Sequence, residues 1–326
     1  MKLTPNARGQ SQRAVFLSQD TGKTVFDAIR TFPHQTTRKL FWSHCQIFVL
    51  GREMAEDNVT QTLDWFYRNQ ELRPNSYVAM SANEAADILR TRTSLNLIPA
   101  YDVASDIETL TDTSDAPIVT LKDFMEQTAN PIGTAYMPIL TQKEVTGTAV
   151  FLHDRLVGTL GLPESRGLLS LNGKVKSGEI TFPAQATTTG AAGTDASARN
   201  FTTLEIIGER VKTEVQVQNG RLTIVYKIRC TADLADDPSP SGHSQARVKE
   251  IEGLAAQNLT YHAQLCIARV KAYKADVIGA GAAIHRQQPK LWRTVSGDWE
   301  RNFANLPIQV QTEVQLRHEG LIRGRI

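Results

Sequence analysis

The amino-acid sequence predicts an α+β protein of three small mixed domains, over residues 1–112, 113–186 and 187–326. The last is expected to be an antiparallel sheet with long helices packed on one face. Three observations predict this. First, Val211, Thr213, Val215 and Val217 alternate with polar residues, Asn219-Gly220 comes next, and Leu222, Ile224, Tyr226, Ile228 and Cys230 alternate again. That is the pattern of two half-buried strands joined by a type I′ turn. Second, Val248, Ile251, Ala255, Leu259, Cys266 and Val270 mark one face of a long helix. Third, the chain up to Leu89 alternates short apolar runs with amphipathic segments, as a small α/β domain does. A length of 326 residues is too great for one typical core.

Val25, Ala28, Ile29 and Phe32 share a helix face, and Phe41 to Leu50 is a buried strand ended by Gly51. Asp57 or Asn58 caps a helix whose apolar face is Val59, Leu63 and Phe66. Arg73-Pro74 breaks the chain before a short strand, Tyr77 to Met80, and a helix, Glu84 to Leu89. Asp102 to Pro117, acidic and rich in Thr and Ser, is expected to be a connection. Leu121 to Thr128 is a helix, and Pro131 and Pro138 break the segment after it. Two apolar runs flank His153-Asp154, a hairpin signal. Leu168 to Leu171 and Glu179 to Phe182 are expected as further short strands. Pro183 to Asn200 is Ala, Thr, Gly and Ser, a linker composition, and Asp236 to Ser244 is a polar loop. Near the C-terminus Trp292, Val295, Trp299 and Phe303 stand at three- and four-residue spacing, with Gly297 placed to split the helix. Leu306, Ile308, Val310, Thr312, Val314 and Leu316 then alternate as a strand with one buried and one wet face.

Composition excludes several function classes. Hydrophobic residues make up 41% of the chain, enough for packed cores, and the net charge of +2 carries no signature of nucleic-acid binding. No run of eighteen apolar residues is present to span a membrane. Cys45, Cys230 and Cys266 are odd in number, far apart and set in apolar contexts, so they are expected as buried thiols.

The candidate sites are weak as chemistry. Gly22-Lys23-Thr24 resembles the tail of a phosphate loop, but Leu17 occupies the place of its first glycine, so a helix start is expected. Gly279-Ala280-Gly281 has no third glycine and comes after a helix rather than a strand. It is expected to terminate that helix, or to offer a backbone surface that a partner approaches closely. Neither the seven histidines nor the cysteines fall at metal-ligand spacing. Ser43-His44-Cys45 places a histidine beside a thiol, but neighbours on a strand point to opposite faces. No catalytic, cofactor-binding or metal-binding residue is therefore assigned. Arg68, Arg73, Arg286 and Arg293, with Gly279 and Gly281, remain as candidate partner contacts, since arginine suits interfaces and anionic ligands. Trp292 and Trp299 are expected in the core, and as interface anchors if exposed.

Three motif blocks, in order, carry a family resemblance. The first is Gly51, Glu53, Ala55, Asp64, Arg68, Arg73 and Ala85; the second is the hairpin around His153 with Glu164, Ser165 and Gly167 after it. The third is Asp276-x-x-Gly279-x-Gly281, then Trp292, Trp299, Phe303 and the alternating strand ending at Gly320. Together they resemble the Ger(x)C family, the C subunit of bacterial spore nutrient-germinant receptors, from Val15 to Gly320. The resemblance implies a non-enzymatic lipoprotein on the outward side of the spore inner membrane. It implies two integral-membrane partners, one channel-like and one transporter-like, and no cofactor. Family members begin with a signal peptide and a lipid-modified cysteine. Met1 to Asn6 contains no apolar h-region, so the anchor is not visible and the chain is expected to lack that segment. The alternative function is a soluble protein that binds a small germinant in a concave pocket.

Overall fold

Alternating apolar residues build two separate sheets, and helices cover the faces they leave apolar. The computed structural model describes residues 15, 17–35, 41–90, 98–142, 144–184, 201–218, 221–238 and 244–317. The N-terminal residues Met1 to Asn6, most of the linker after Pro183, the turn Asn219-Gly220 and Gly320 lie outside them. The chain forms two compact units, residues 1–109 with 118–159, and residues 110–117 with 160–326. The strands expected in a separate middle domain are shared between the two.

In the first unit the sheet order is β1 (Ile47–Leu50), β2 (Tyr77–Ser81), β3 (Thr134–Leu140), β4 (Val145–Leu152) and β5 (Arg155–Leu160). The first three strands run parallel and β4 returns antiparallel to β3. The hairpin at His153-Asp154 is present, and both turn residues have positive φ, 48° and 68°, as a type I′ turn requires. Helices α1 (Val25–Gln35), α2 (Arg52–Glu56), α3 (Val59–Arg68), α4 (Ala85–Arg90), α5 (Pro99–Thr113) and α6 (Leu121–Thr128) accompany these strands. Helix α3 starts where expected, because the Asn58 side chain accepts from the Gln61 N–H. Thr120 and Asp123 form a reciprocal capping box on α6. Leu63, Val78, Met80, Leu121, Phe124, Met137 and Phe151 fill the core, with Phe124 and Phe151 edge to face at 5.3 Å.

Two expectations in this part of the chain are corrected. Asp102 to Pro117 is mostly helix α5 rather than a connection, because Val103, Ile107 and Leu110 recur at helical spacing and are buried. Trp42–His44 is a 3₁₀ turn, so the strand begins only at Ile47 and His44-Cys45 does not lie on it. Gly22-Lys23-Thr24 does open a helix. The Thr24 hydroxyl accepts from the Asp27 N–H, and the Asp27 carboxylate accepts from the Lys23 N–H.

The second unit holds a four-stranded sheet, β6 (Glu179–Pro183), β7 (Phe201–Gln218), β8 (Arg221–Asp236) and β9 (Ile308–Leu316). The long β7–β8 hairpin is in the expected register, with Gln218 opposite Arg221. Helices α7 (Leu162–Leu171), α8 (Gln245–Ala272), α9 (Ala280–Gln287), α10 (Pro289–Val295) and α11 (Trp299–Asn305) complete the unit. Leu169, Ile180, Phe182, Leu204, Ile206, Ile251, Ala255 and Val314 form one core cluster between sheet and helices. Leu168 to Leu171, expected as a strand, is the end of α7, which Pro163 starts. Gly167 lets α7 touch α8: a Cβ there would meet the His262 carbonyl oxygen at 2.2 Å. The α+β class holds, with one pairing different from expectation. β9 runs parallel to β8, not antiparallel, because the helices between them carry the chain back to the end where β8 began.

Candidate functional site

The connection from α8 to β9 is where the sequence motif, the buried polar groups and the exposed charge coincide. Helix α8 ends at Ala272 with Tyr273 as its C-cap, and Lys274 takes positive φ. The next residues are tied down by buried hydrogen bonds. Tyr226 donates its hydroxyl to the Ile278 carbonyl at 2.9 Å, and Asn172 donates its amide to the Val277 carbonyl at 2.9 Å. Gly279 comes next at φ 75°, a left-handed conformation that favours glycine, and serves as N-cap of α9.

Asp276 organises this turn. Its carboxylate accepts from the Ala280 N–H at 2.9 Å, from the Gly281 N–H at 2.6 Å and from the Trp299 indole N–H at 3.1 Å. The first two are helix-end donors with no intrahelical partner, and a carboxylate at a helix N-terminus also meets its positive end. Burial pushes the Asp276 carboxyl up, and these donors, with the Gly279 N–H beside them, oppose that shift. Asp-x-x-Gly-x-Gly is thus a helix start held by its own aspartate. The expected helix terminator is corrected to this: the chain needs Gly279 to enter α9, seven residues after the last residue of α8.

The same aspartate fixes an aromatic column. Trp299 and Phe303 are buried, with ring centroids 6.0 Å apart; Trp292 stacks edge to face on Trp299 at 5.0 Å and stays half-buried. His285 lies 6.0 Å from Trp292 on the exposed side. Gly297 does split the helical stretch, into α10, a 3₁₀ turn and α11. On α9 and α10, the helices that carry His285 and Trp292, Arg286, Lys290 and Arg293 are exposed and give this stretch of chain a basic surface.

The six candidate contacts therefore divide. Gly281 is buried and Gly279 half-buried, and both are needed for the turn itself. Arg286 and Arg293 are exposed on the basic surface above it. Arg68 and Arg73 belong to the other unit. Arg68 pairs with Asp64 one helical turn away at 2.8 Å, which accounts for its family motif partner. Arg73 is exposed, and its carbonyl accepts from the Ser76 N–H and hydroxyl, closing the turn before β2.

A second surface was not read from the sequence. Phe26, Trp42, Trp65 and Phe66 form a contiguous aromatic cluster on the first unit, with centroids 5.0–5.9 Å apart. The Arg30 guanidinium lies 4.9 Å over the Phe26 ring. Phe41, next in chain to Trp42, is 72% exposed. The i, i+1 pair Trp65-Phe66 was the available signal.

Other chemistry is sparse. The Cys45 thiol is pushed up to about 11 by burial and contacts the Ile47 carbonyl, so it is no thiolate nucleophile at neutral pH. Burial likewise pushes the Cys230 thiol up to about 12. Among the described residues no group of three His, Cys, Asp or Glu side chains could hold a metal ion. A partly open cavity bounded by Arg166, Ser170, Ile206 and His262 has a volume of about 20 Å³, room for one water. Among the described residues no helix is long and apolar enough to cross a membrane.

Two family models match the chain in tandem. Residues 2–142 match the spore germination protein N-terminal domain, and residues 146–320 match the model described as spore germination B3/GerAC like, C-terminal. The chain belongs to this spore germination family. Two Bacillus subtilis (strain 168) relatives agree. Spore germination protein KC is 23% identical over 328 positions, covering 92% of this chain and 78% of its own length. Spore germination protein B3 is 21% identical, covering 92% and 80%. The solved structure of the GerBC protein shares the fold, with a TM-score of 0.65 at 20% identity over 84% of this chain and 79% of that one. The chain's role lies in spore germination, and the motif blocks that carry the resemblance are the ones that build the α3 ion pair, the α7–α8 contact and the Asp276 turn.

Proposed function

We propose that this protein is a non-enzymatic subunit of a spore germinant receptor, required for nutrient-triggered germination and acting through protein–protein interfaces at the spore inner membrane. Its partners in this reading are the channel-like and transporter-like integral-membrane subunits. The observation that carries it is the basic surface of Arg286, Lys290 and Arg293 on α9 and α10, the helices that carry His285 and half-buried Trp292, mounted on a turn locked by a buried aspartate. Arginine and tryptophan are the residues most enriched where binding energy concentrates, and a rigid mount lowers the ordering cost of association. No comparable investment surrounds a reactive group: the thiols are held protonated by burial.

The test is charge reversal at Arg286, Lys290 and Arg293 together, in spores that carry no redundant receptor. The expected outcome is loss of most of the nutrient response, with unchanged thermal unfolding of the purified variant. Wild-type germination by the triple variant overturns this reading of the surface. Heat released on titrating the purified protein with a germinant favours the small-molecule binding alternative.

A further inference from the structure

The two edges of the second unit's sheet are treated differently. At the β7 edge, β6 pairs with residues 201–205. Higher up, the Gln287 side chain stands in for a strand: its oxygen accepts from the Val215 N–H at 3.0 Å and its amide donates to the Thr213 carbonyl at 2.8 Å. At the β9 edge the inward groups are used, since the Pro307 carbonyl accepts from the Ile224 N–H and the Arg317 N–H donates to the Ala232 carbonyl. In a parallel pair the alternate residues then point outward. These are Val310, Thr312 and Val314, whose main-chain groups have no partner among the described residues. Only at the end of the strand is an outward group capped, by Glu252 accepting from the Leu316 N–H at 2.9 Å. Natural sheets blunt such edges with lysine, proline or a bulge. β9 has none of the three over its nine residues and keeps one unbroken register; its one charged residue, Glu313, is paired with Arg229 of β8 at 3.2 Å.

The helix beside this edge is unusual in the same way. The exposed positions along α8 from Gly253 to Ala268 are Gly253, Gln257, Tyr261, Gln264 and Ala268, none of them charged. Exposed helix faces normally carry charge. Tyr261 is 57% exposed. A hollow of about 380 Å³, lined by Gln257, Thr260, Tyr261, Gln264 and Thr312, joins this stripe to the strand edge.

We infer that the β9 edge and the Tyr261 stripe are a self-association surface, occupied by a second copy of this chain. The strand specifies its own reverse. Antiparallel pairing about a two-fold axis at Thr312 sets Ile308 against Leu316, Val310 against Val314, Gln309 against Gln315 and Gln311 against Glu313. Every apolar residue meets an apolar one and every polar residue a polar one. The outward residues 310, 312 and 314 become hydrogen-bonded pairs, which returns partners to their open N–H and C=O groups. An axis normal to the sheet keeps both α8 helices on one face and places each Tyr261 stripe opposite its own copy. Identical surfaces meeting across a two-fold axis repel if charged, and the stripe carries no charge.

The experiment is sedimentation of the purified full chain, with Thr312→Cys in a Cys45→Ser background as a cross-linking probe. The expected result is a reversible dimer, twice the 36.1 kDa chain mass, with Thr312→Cys giving a disulfide-linked dimer on mild oxidation. Val310→Pro, which removes an outward N–H, and Tyr261→Arg at an exposed position are each expected to return the protein to monomer with unchanged circular dichroism. Should Val310→Pro unfold, Tyr261→Arg alone decides. A chain that stays monomeric at its highest soluble concentration, or a dimer that survives Tyr261→Arg and fails to cross-link at 312, overturns the inference.

Discussion

The first unit gathers Phe26, Trp42, Trp65 and Phe66 ring against ring at its surface, whereas the second stacks Trp292, Trp299 and Phe303 on a buried carboxylate. In both clusters a pair of tryptophans lies in ring contact, at 5.9 Å in the first and 5.0 Å in the second. They differ in what fixes them. Ring contacts are broad in angle and worth about 0.5–1.5 kcal/mol each, so the first cluster tolerates adjustment. An indole N–H aimed at a carboxylate that also caps a helix leaves one geometry. The comparison separates a surface able to adapt from one held rigid.

Asp276→Ala tests the rigid side most severely. It removes the acceptor of three buried donors, and each stranded donor costs about 1–3 kcal/mol, so a loss of about 3 kcal/mol or more is expected in denaturant unfolding. A loss under about 1 kcal/mol breaks the claim that this aspartate fixes the column.

The second unit also buries a titratable group without a full set of partners. Glu209 is buried beneath α7, accepts a 3.3 Å bond from the Ser170 hydroxyl and leaves Oε1 unpaired among the described residues. Burial pushes its carboxyl up from 4.5 to about 7, with the Ser170 bond opposing. A folded-state value raised above the unfolded one contributes stability that is fully present below about pH 4.5 and is lost as pH rises through 7. The unfolding free energy of the parent should therefore fall by about 2–3 kcal/mol between pH 5 and pH 8, and Glu209→Gln should remove most of that slope.

The smallest effects belong to the adaptable cluster. Trp65→Ala is expected to cost about 1–2 kcal/mol, since its ring is half-buried but shares three aromatic contacts. Phe41→Ser, at 72% exposure, should fall within about 0.5 kcal/mol of the parent by thermal unfolding. Were Trp65→Ala to match Asp276→Ala, the distinction between the two clusters would not stand.

Much of the second unit was legible because alternation is local. Val211 to Val217 and Leu222 to Cys230 predict their faces and their register from neighbours alone, and the spacing of Trp299 and Phe303 predicts a shared helical face. The direction of β9 was not legible, since a strand with one wet face looks the same run either way. Leu168 to Leu171 is an apolar run that suits a buried strand or a buried helix equally, and Pro163 with Gly167 was the sign that favoured helix. Helix α5 was hidden by its acidic and Thr/Ser composition, although Val103, Ile107 and Leu110 kept the spacing. Of the candidate contacts, Arg286 and Arg293 stand on an exposed surface, while Gly279 and Gly281 are what that surface stands on. Asp276 was visible as a letter in the motif, but its three donors come from residues four, five and twenty-three positions on, a convergence that spacing does not reveal.

The parallel pairing of β8 with β9 has a consequence for how the chain assembles in time. Ile224 lies beside Ile308, and every residue of α8 to α11 falls between them. During synthesis the β6–β7–β8 sheet is available well before β9 leaves the ribosome, and closing so long a loop is slow compared with forming a hairpin. The edge of β8 must wait uncovered for that interval, with Tyr226 and Ile228 beside it. A nascent chain stalled before residue 308 therefore leaves the β8 edge open to mispairing, and docking of β9 moves the open edge outward to β9 itself.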